Sequence, residues 1–570
     1  MLFTTKNKCK DSTPDFIFDE ACLDVLNTLN ETVQITGQYR ECDGCDFQNI
    51  TSLQPNQNVS ILINTRFSLN MKGANCSWSS ELLEHYRYGW NITAKCPGIY
   101  IKESADNPYI PILSAFIILF LFGTIWYMIK CIYKCTKNNA IWQRYPIFAN
   151  NSENENLSQS LNDSAPLVVE RPPKPLKHPN RIKSIDTFRG ICIVIMIFVN
   201  YGGGKYWFFS HSPWNGLTVA DLVFPWFIWL MGMSYTISLS TKLRNAVPRR
   251  QLVIEVLRRS AMLVLLGLIL NSHGEVTEIG KLRFPGVLQH IGVTYLVVGL
   301  IESVFAKRLQ TNEGAGRFNL IQDLCVSLPQ WGIIACFVII HTCITFLVNV
   351  PGCGKGYLGP GGLHDHAKHE LCTGGVAGYI DREIFGNHMY QKPTCTFVYQ
   401  TTQAFDPEGF LSTFTSIFLA YMGIHAGRIF SMYASPLQRT VRFLIWGVVT
   451  ALIGGILCNF SKNGGAIPIN KNLWSLSFVL VLGGMAFIIQ AFLYVLVDLQ
   501  RKWGGRPFFY PGMNPIFLYV GHVIFKNTFP FAWIPNVKSH SAYLGMNLWG
   551  TALWVAISIF LYKRNIFFKI

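Results

Sequence analysis

Charge is scarce in this chain. Only 14% of its 570 residues are Asp, Glu, Lys or Arg, while half are hydrophobic. A soluble protein carries about 25% charged residues, so a soluble globular fold is excluded. Repeated apolar stretches of roughly 20 residues instead mark a polytopic membrane protein. No contiguous basic stripe accompanies the net charge of +16, which argues against a nucleic-acid face. The basic residues are scattered over short connecting loops, where the positive-inside rule puts them. Heptads and solenoid repeats are missing. Gly202-Gly203-Gly204 is followed by no Walker lysine and serine, so it is no phosphate loop. A Gly-x-Ser-x-Gly elbow is absent too, and no inverted internal repeat of the kind found in many carriers is evident. The opening "MLFTTKNKCK" has no apolar h-region, so a lumenal amino terminus would follow a signal segment that this sequence does not include.

The first hundred residues have a different character. Cys9, Cys22, Cys42, Cys45, Cys76 and Cys96 lie among glycosylation sequons at Asn30, Asn49, Asn58, Asn75 and Asn91. Six cysteines beside several acceptors read as a small disulfide-bonded, β-rich domain in an oxidising lumen. Cys42 and Cys45 have the spacing of a redox or zinc pair, but their sequon-rich surroundings favour disulfides. We therefore divide the chain into a glycosylated cysteine-rich domain (1–108), a first span (109–130), a polar linker (131–183) and a ten-helix membrane domain (184–570). The linker, with "NSENENLSQSLNDSAP" and "ERPPKPLKHP", has the composition of a disordered segment. Its lysines favour the cytosol, although sequons at Asn150, Asn156 and Asn162 point the other way.

About eleven transmembrane helices are expected in all. The ten after the linker centre near Ile193, Trp226, Leu265, Val297, Val338, Phe418, Val449, Phe487, Leu518 and Ala556. Alternation from a lumenal amino terminus puts the clusters at Arg244–Arg259, Arg439–Arg442 and Arg501–Arg506 in the cytosol, together with the carboxyl terminus. One lumenal loop, 351–409, is long and Gly-rich, and Cys353 and Cys372 are expected to pair within it. His364, His366 and His369 in that loop suggest zinc only if a rigid frame and a fourth ligand exist; mobile loop histidines are the plainer reading.

The richest polar stretch is "VNYGGGKYWFFSHSPWNGLTVADLVFP", residues 199–225. Asn200 closes one span, His211 sits in the joint, and Asp221 lies about one turn into the next. An intramembrane carboxylate is a functional hypothesis by default. Asp221 would otherwise merely cap its helix, and the aromatic residues would form an interfacial belt. His341 reads as a packed core histidine, and His425 as lining a cytosolic vestibule. His522, with Asn514 and Tyr519, would complete a polar site inside the bundle.

Longer blocks carry a resemblance. "SIDTFRGICIVIMIFVNYGGGKYWFFSHSPWNGLTVADLVFPWF", "RFPGVLQHIGVTY", "VPGCGKGYLGPGG", "CTGGVAGYIDR", "DPEGFL", "IPINKNLWSLSF" and "PFFYPGMNPIFLYVGH" occur in order. Together they resemble the lysosomal heparan-α-glucosaminide N-acetyltransferase family of transmembrane enzymes, over essentially everything after Ser184. The resemblance implies a lysosomal membrane homodimer with eleven spans. It implies transfer of acetyl from cytosolic acetyl-CoA to the terminal glucosamine of heparan sulfate in the lumen, without a metal. His211 lands on the family's active-site histidine, between "KYW" and "WNG"; Asn200 and Asp221 land on its asparagine and aspartate. His290 and His425 depart from the family, which has Arg and Gln there.

That chemistry suits these residue types. An amine must lose a proton before it attacks a thioester, so a base within hydrogen-bond reach is needed. His211 is the expected base, oriented by Asp221, while Asn200 donates to the oxyanion or fixes the imidazole. Direct transfer is favoured over an acetyl-histidine intermediate, which sequence does not exclude. Acetyl-CoA is expected against Arg258, Arg259, Asn514 and His522, with its phosphates near the two arginines unless these only anchor the helix. Trp214, Asn215, Lys281 and Arg283 are the expected contacts for the sugar chain, although Arg283 could equally fix its loop. The competing class is a proton-coupled carrier, which also places His and Asp inside a bundle.

Overall fold

The computed structural model describes residues 9, 16–138, 181–273, 278–307 and 322–568. Most of the expected linker lies outside the described residues, as does Tyr145-Pro146-Ile147-Phe148, which has the form of a tyrosine sorting signal. Two units are described separately: residues 108–181, and everything else. The first of these holds α1 (Ile110–Asn138), whose segment Ile110–Tyr133 is predominantly apolar and long enough to cross a membrane.

The amino-terminal region is β-rich, as expected. Strands β1 (Glu20–Asn27), β2 (Val33–Tyr39), β3 (Gln48–Leu53), β4 (Asn58–Asn64), β5 (Leu69–Gly73), β6 (Cys76–Ser80), β7 (Arg87–Ile92) and β8 (Tyr100–Glu103) form two four-stranded sheets. Their orders are β4-β1-β7-β8 and β3-β2-β5-β6. Alternate residues of β2 (Val33, Ile35, Gly37, Tyr39) are buried, the period-two pattern of a strand with one face on a core. Leu23, Val25, Ile35, Ile61, Met71 and Trp90 from both sheets share that core. Disulfides join Cys9 to Cys22, Cys42 to Cys45 and Cys76 to Cys96. Asn30, Asn49, Asn58 and Asn75 are exposed and Asn91 is partly so.

The helices after the linker are α2 (Lys183–Asn200), α3 (Val219–Arg244), α4 (Arg249–Asn271), α5 (Val287–Phe305), α6 (Gln322–Cys325), α7 (Leu328–Leu347), α8 (Gly375–Phe385), α9 (Thr396–Tyr399), α10 (Ser412–Met432), α11 (Pro436–Leu457), α12 (Leu476–Leu493), α13 (Pro515–Ile524) and α14 (His540–Lys563). A two-stranded ribbon, β9 (Asn349–Val350) and β10 (Gly354–Lys355), opens the long loop. Each of the ten expected centres falls inside one of these helices. Seven helices among the described residues, α1 included, are long and apolar enough to cross a membrane. The others differ for visible reasons. Helix α4 carries Arg249, Arg250, Glu255, Arg258 and Arg259. Helix α13, at 10 residues, rises about 15 Å, half of a bilayer core of about 30 Å.

Helix α3 lies at the centre and crosses α10 closely. A Cβ on Gly232 would meet the carbonyl oxygen of Ala420 at 2.0 Å, and one on Gly423 would meet that of Trp229 at 1.9 Å. Small residues on both helices therefore bring the two backbones together, a common device between membrane helices. The long loop is less irregular than expected, since it holds α8 and α9 and is closed by a Cys353–Cys372 disulfide. Two of its three clustered histidines have hydrogen-bond partners: Tyr357 meets His364 Nδ1 at 3.0 Å, and Asp46 of the amino-terminal domain meets His366 Nδ1 at 2.6 Å. His341 is buried, as expected for a core histidine. His425 differs from expectation. It is buried 3.5 Å from Asp323 and packed against Trp331 and Trp446, so it lines no vestibule.

The two sheets rest on the membrane domain through polar seams. Glu84 Oε1 lies 2.9 Å from His540 Nε2, and His540 gives its Nδ1–H to Gly204 O at 2.7 Å. Phe18 packs on both His540 and Tyr543. Farther round, Glu41 pairs with Lys462, and its carbonyl accepts from Tyr399 Oη at 2.9 Å.

Candidate functional site

The joint between α2 and α3 is built around three glycines with φ of 119°, 56° and 67°, a region that ordinary side chains avoid. A Cβ on Gly203 would also lie 2.4 Å from the Cβ of Phe209. Helix α14 holds the turn in place. Asn547 accepts from Gly204 N at 2.8 Å and donates to Tyr201 O at 2.7 Å. Chain direction is thus set just before His211.

Asp221 sits in the first turn of α3 and is 1% exposed. Its two oxygens make separate contacts. Its Oδ2 accepts from Thr218 N at 3.1 Å, Thr218 Oγ1 at 2.9 Å and Ser212 N at 3.2 Å, which is the capping role. Its Oδ1 lies 2.7 Å from His211 Nδ1. A carboxylate only accepts, so the ring's Nδ1–H donates and Nε2 is left as the basic atom. His211 itself is open, with 56% of its side chain accessible.

A lysine joins this pair. Lys471 Nζ lies 3.2 Å from His211 Nε2, 3.0 Å from Nδ1 and 3.7 Å from Asp221 Oδ1. With Nδ1–H already directed at Asp221, the contact with Nε2 is the one that acts as a hydrogen bond. The loop that delivers Lys471 is zipped to the His211 loop: Asn470 donates to Asn215 Oδ1 at 3.0 Å, Asn215 donates to Asn463 Oδ1 at 3.1 Å, and Gly216 N donates to Ile469 O at 2.8 Å. Sequence reasoning missed Lys471, although it stands inside the quoted block "IPINKNLWSLSF". Nothing local singles out one lysine before two loops far apart in sequence are brought together.

Asn200 meets a different histidine from the one expected. Its Nδ2 lies 2.8 Å from His522 Nε2, while His522 gives its Nδ1–H to Leu518 O at 3.1 Å. His522 therefore stands at the Asn200 end of α2, with Asn200 donating to it.

Two cavities lie farther along α2 and α3. A cavity of about 310 Å³ is lined by Ile193, Met196, Phe227, Met231 and Tyr519 among others. Met196 lies one turn from Asn200, and Phe227 about 9 Å along α3 from Asp221. Ser234 and Arg259 also line a second cavity of about 410 Å³, whose walls include Lys242, Glu255, Arg258 and Tyr295. Along α3 the two together run from Phe227 to Lys242, about 22 Å. The upper chamber is mostly apolar and the lower one charged. Arg258 is exposed. Arg259 stands over the Tyr295 ring at 4.8 Å, and its buried Nε has no hydrogen-bond partner among the described residues.

Four expected contacts are engaged by other parts of the protein, Arg283 in the loop-fixing way that was its alternative reading. Trp214 is 1% exposed, packed on Phe405, with its indole N–H given to Leu358 O at 2.9 Å. The Asn215 amide is occupied within the loop zipper. Asn514 is buried and clamps the carboxyl-terminal segment, donating to Ile566 O and accepting from Phe568 N, each at 3.0 Å. Arg283 holds Asp406 at 2.6 Å and Glu408 at 2.8 Å. Burial alone would lower its pKa, but the two carboxylates carry it further up. Trp214 and Asn514 are thus buried in internal contacts, whereas Arg283 and Asn215 are partly exposed while held by their partners. Lys281 remains exposed, 2.8 Å from Glu278.

Residues 181–312 match a family model described as heparan-alpha-glucosaminide N-acetyltransferase, catalytic. Two curated relatives named heparan-alpha-glucosaminide N-acetyltransferase, from Homo sapiens and Mus musculus, are each 47% identical over 399 residues. The alignments take in 69% of this chain, and 60% and 61% of those proteins. The chain therefore spans about three fifths of the length of the relatives it matches. All of α2, α3, α4 and α5, with His211 and Asp221 among them, fall within the matched segment. On that match and that identity, the chain is similar over 69% of its length to the heparan-alpha-glucosaminide N-acetyltransferases, and its residues 181–312 carry the segment described as their catalytic part.

Proposed function

We propose that the protein is a membrane-embedded N-acetyltransferase that moves acetyl from cytosolic acetyl-CoA to the terminal non-reducing α-glucosamine of heparan sulfate in the lysosomal lumen. The observation that carries this reading is an exposed imidazole oriented by a buried carboxylate at the start of α3, a helix that also lines two cavities sharing Ser234 and Arg259. The charged lower chamber, with Arg258 and Arg259, suits the CoA phosphates. The apolar upper chamber suits the pantetheine arm, which brings the thioester toward the polar rim.

In this mechanism His211 Nε2 takes a proton from the sugar ammonium and Asp221 Oδ1 holds the imidazolium that results. The freed nitrogen attacks the thioester carbonyl. One N–H of Asn200 is given to His522, so the second N–H is the one that meets the developing oxyanion. The attacking nitrogen gives up its second proton to solvent, the C–S bond breaks, and the sulfur takes the proton held on His211, so CoA leaves as the thiol. Direct transfer in a ternary complex is favoured, because Nε2 is needed as a base and Lys471 shows that a primary amine fits beside it. The family resemblance supports a homodimer, with residues 1–108 lumenal and the carboxyl terminus cytosolic.

The test is to incubate purified protein with labelled acetyl-CoA and glucosamine and to repeat it with His211→Ala. Acetylglucosamine formation should fall by about 10²–10⁴-fold in the variant. Solute uptake without any acetylglucosamine would favour a carrier instead.

A further inference from the structure

We propose that Lys471 is itself an acetyl acceptor: without a sugar amine in the site, the enzyme acetylates this lysine and inactivates itself. The inference rests on the acetyl-transfer reading above. Its basis is position. Lys471 Nζ stands 3.2 Å from His211 Nε2 and 3.7 Å from Asp221 Oδ1, which is where a sugar ammonium must stand to give up its proton. A lysine amine and a glucosamine amine are the same kind of nucleophile, a primary amine that has to be deprotonated before it attacks.

The side chain is also held there. It is 13% exposed, and the neighbouring Asn470 is fully buried with its amide locked between Asn215 and Leu473 N. Other lumenal lysines lack this setting. Lys462 faces Glu41 and Lys281 faces Glu278. Among the described residues, no other lysine amine lies within hydrogen-bond distance of an imidazole.

The step is balanced without any further reactant. A bond forms between Nζ and the acetyl carbonyl carbon, and the thioester C–S bond breaks. The amine proton passes through His211 to the departing sulfur, giving CoA thiol and ε-N-acetyl-lysine. An amide so formed carries no charge. Asp221 would lose its neighbouring cation, and the acetyl group would fill the place of the acceptor.

The experiment uses full-length protein in nanodiscs, incubated with isotopically labelled acetyl-CoA and no sugar. Peptide mass spectrometry then reads Lys471, and parallel samples are assayed for transfer to glucosamine. Label should accumulate on Lys471 toward one acetyl per chain, while transfer activity decays in step. His211→Ala should leave the lysine unlabelled, and saturating glucosamine should slow its labelling at least tenfold. In Lys471→Arg, whatever activity remains should no longer decay on preincubation. Protein that acetylates glucosamine while its Lys471 stays unmodified overturns the proposal. So does equal labelling in His211→Ala, which would make the reaction chemical and not enzymatic. Label on neither sugar nor lysine overturns the acetyl-transfer reading, and this inference with it.

Discussion

Asp221 performs two jobs with two oxygens, and substitution separates them. Its Oδ2 accepts three hydrogen bonds that start α3 and fix the His211 loop, while its Oδ1 orients the ring. In Asp221→Asn the amide oxygen takes the place of Oδ2, so the cap survives. The amide nitrogen then faces His211 Nδ1, and because it donates, it selects the ring form with the proton on Nε2. That form is not a base at the needed atom. Transfer to glucosamine should fall by about 10²–10⁴-fold, with a stability loss of only about 1 kcal/mol, the size of one ordinary hydrogen bond. Asp221→Ala removes the acceptors altogether. It leaves the half-buried Thr218 N and Ser212 N without their acceptor, at about 1–2 kcal/mol each, so it should destabilise by about 2–4 kcal/mol. The assays are initial-rate kinetics with labelled acetyl-CoA and thermal unfolding in detergent, on both variants. If Asp221→Asn keeps activity within tenfold of the parent, the carboxylate is a cap and nothing more. If Asn and Ala destabilise equally, the division between the two oxygens is wrong.

Other expectations follow from the same geometry. Arg259→Ala should raise KM for acetyl-CoA about 10- to 100-fold, the worth of about 1–3 kcal/mol for a charge-assisted hydrogen bond, while unfolding stays near the parent value; an unchanged KM would place the phosphates elsewhere. Asp381, in the long loop, is 2% exposed, and burial, aided by Asp406, lifts its pKa from 3.8 to about 7. A carboxyl raised in the folded state stabilises fully below pH 3.8 and loses that contribution as pH rises through about 7. Asp381→Asn should therefore flatten the fall in melting temperature between about pH 5 and 7.5, and an unaltered slope would refute it. Replacing both Cys353 and Cys372 by Ser opens a loop with a sequence separation of 19. Chain entropy puts that loss at about 3 kcal/mol, read as a lower unfolding temperature under oxidising conditions.

Hydropathy and cysteine placement made most of the fold legible. All ten expected helix centres fall in helices because a span's signal is local: about 20 residues must all avoid charge. The β-rich domain was legible for the same reason, in paired cysteines and polar composition. What failed was long-range. His425 reads as a vestibule residue from Gly427 and Arg428 nearby, yet α6 brings Asp323 to it from about a hundred residues away. Trp214 and Asn215 flank the histidine in sequence, but the chain turns both into the loop seam. Asn200 was expected to donate to the oxyanion or to fix the His211 ring, and the fold brings His522 to it from over three hundred residues away. Lys471 was invisible because a lysine in an apolar-rich loop has no local signature.

The depth of the charges explains why such a site is tolerable at a membrane boundary. An isolated carboxylate taken into a low-dielectric medium costs several kcal/mol even after relaxation. Asp221 avoids that isolation with three hydrogen bonds to its own helix start and loop, one to the His211 ring, and a lysine 3.7 Å away. None of these donors is supplied by lipid or by a ligand, so the carboxylate is held in place before any substrate arrives. The ring it orients keeps 56% of its side chain accessible, so the cap buries the carboxylate while leaving the base open. On the proposed reading, an acceptor reaches that ring without disturbing the buried carboxylate, because every group that holds Asp221 belongs to the protein itself. The helix cap therefore does for the carboxylate what a bound ligand would otherwise have to do, and the orientation of the imidazole is set in advance of any reaction.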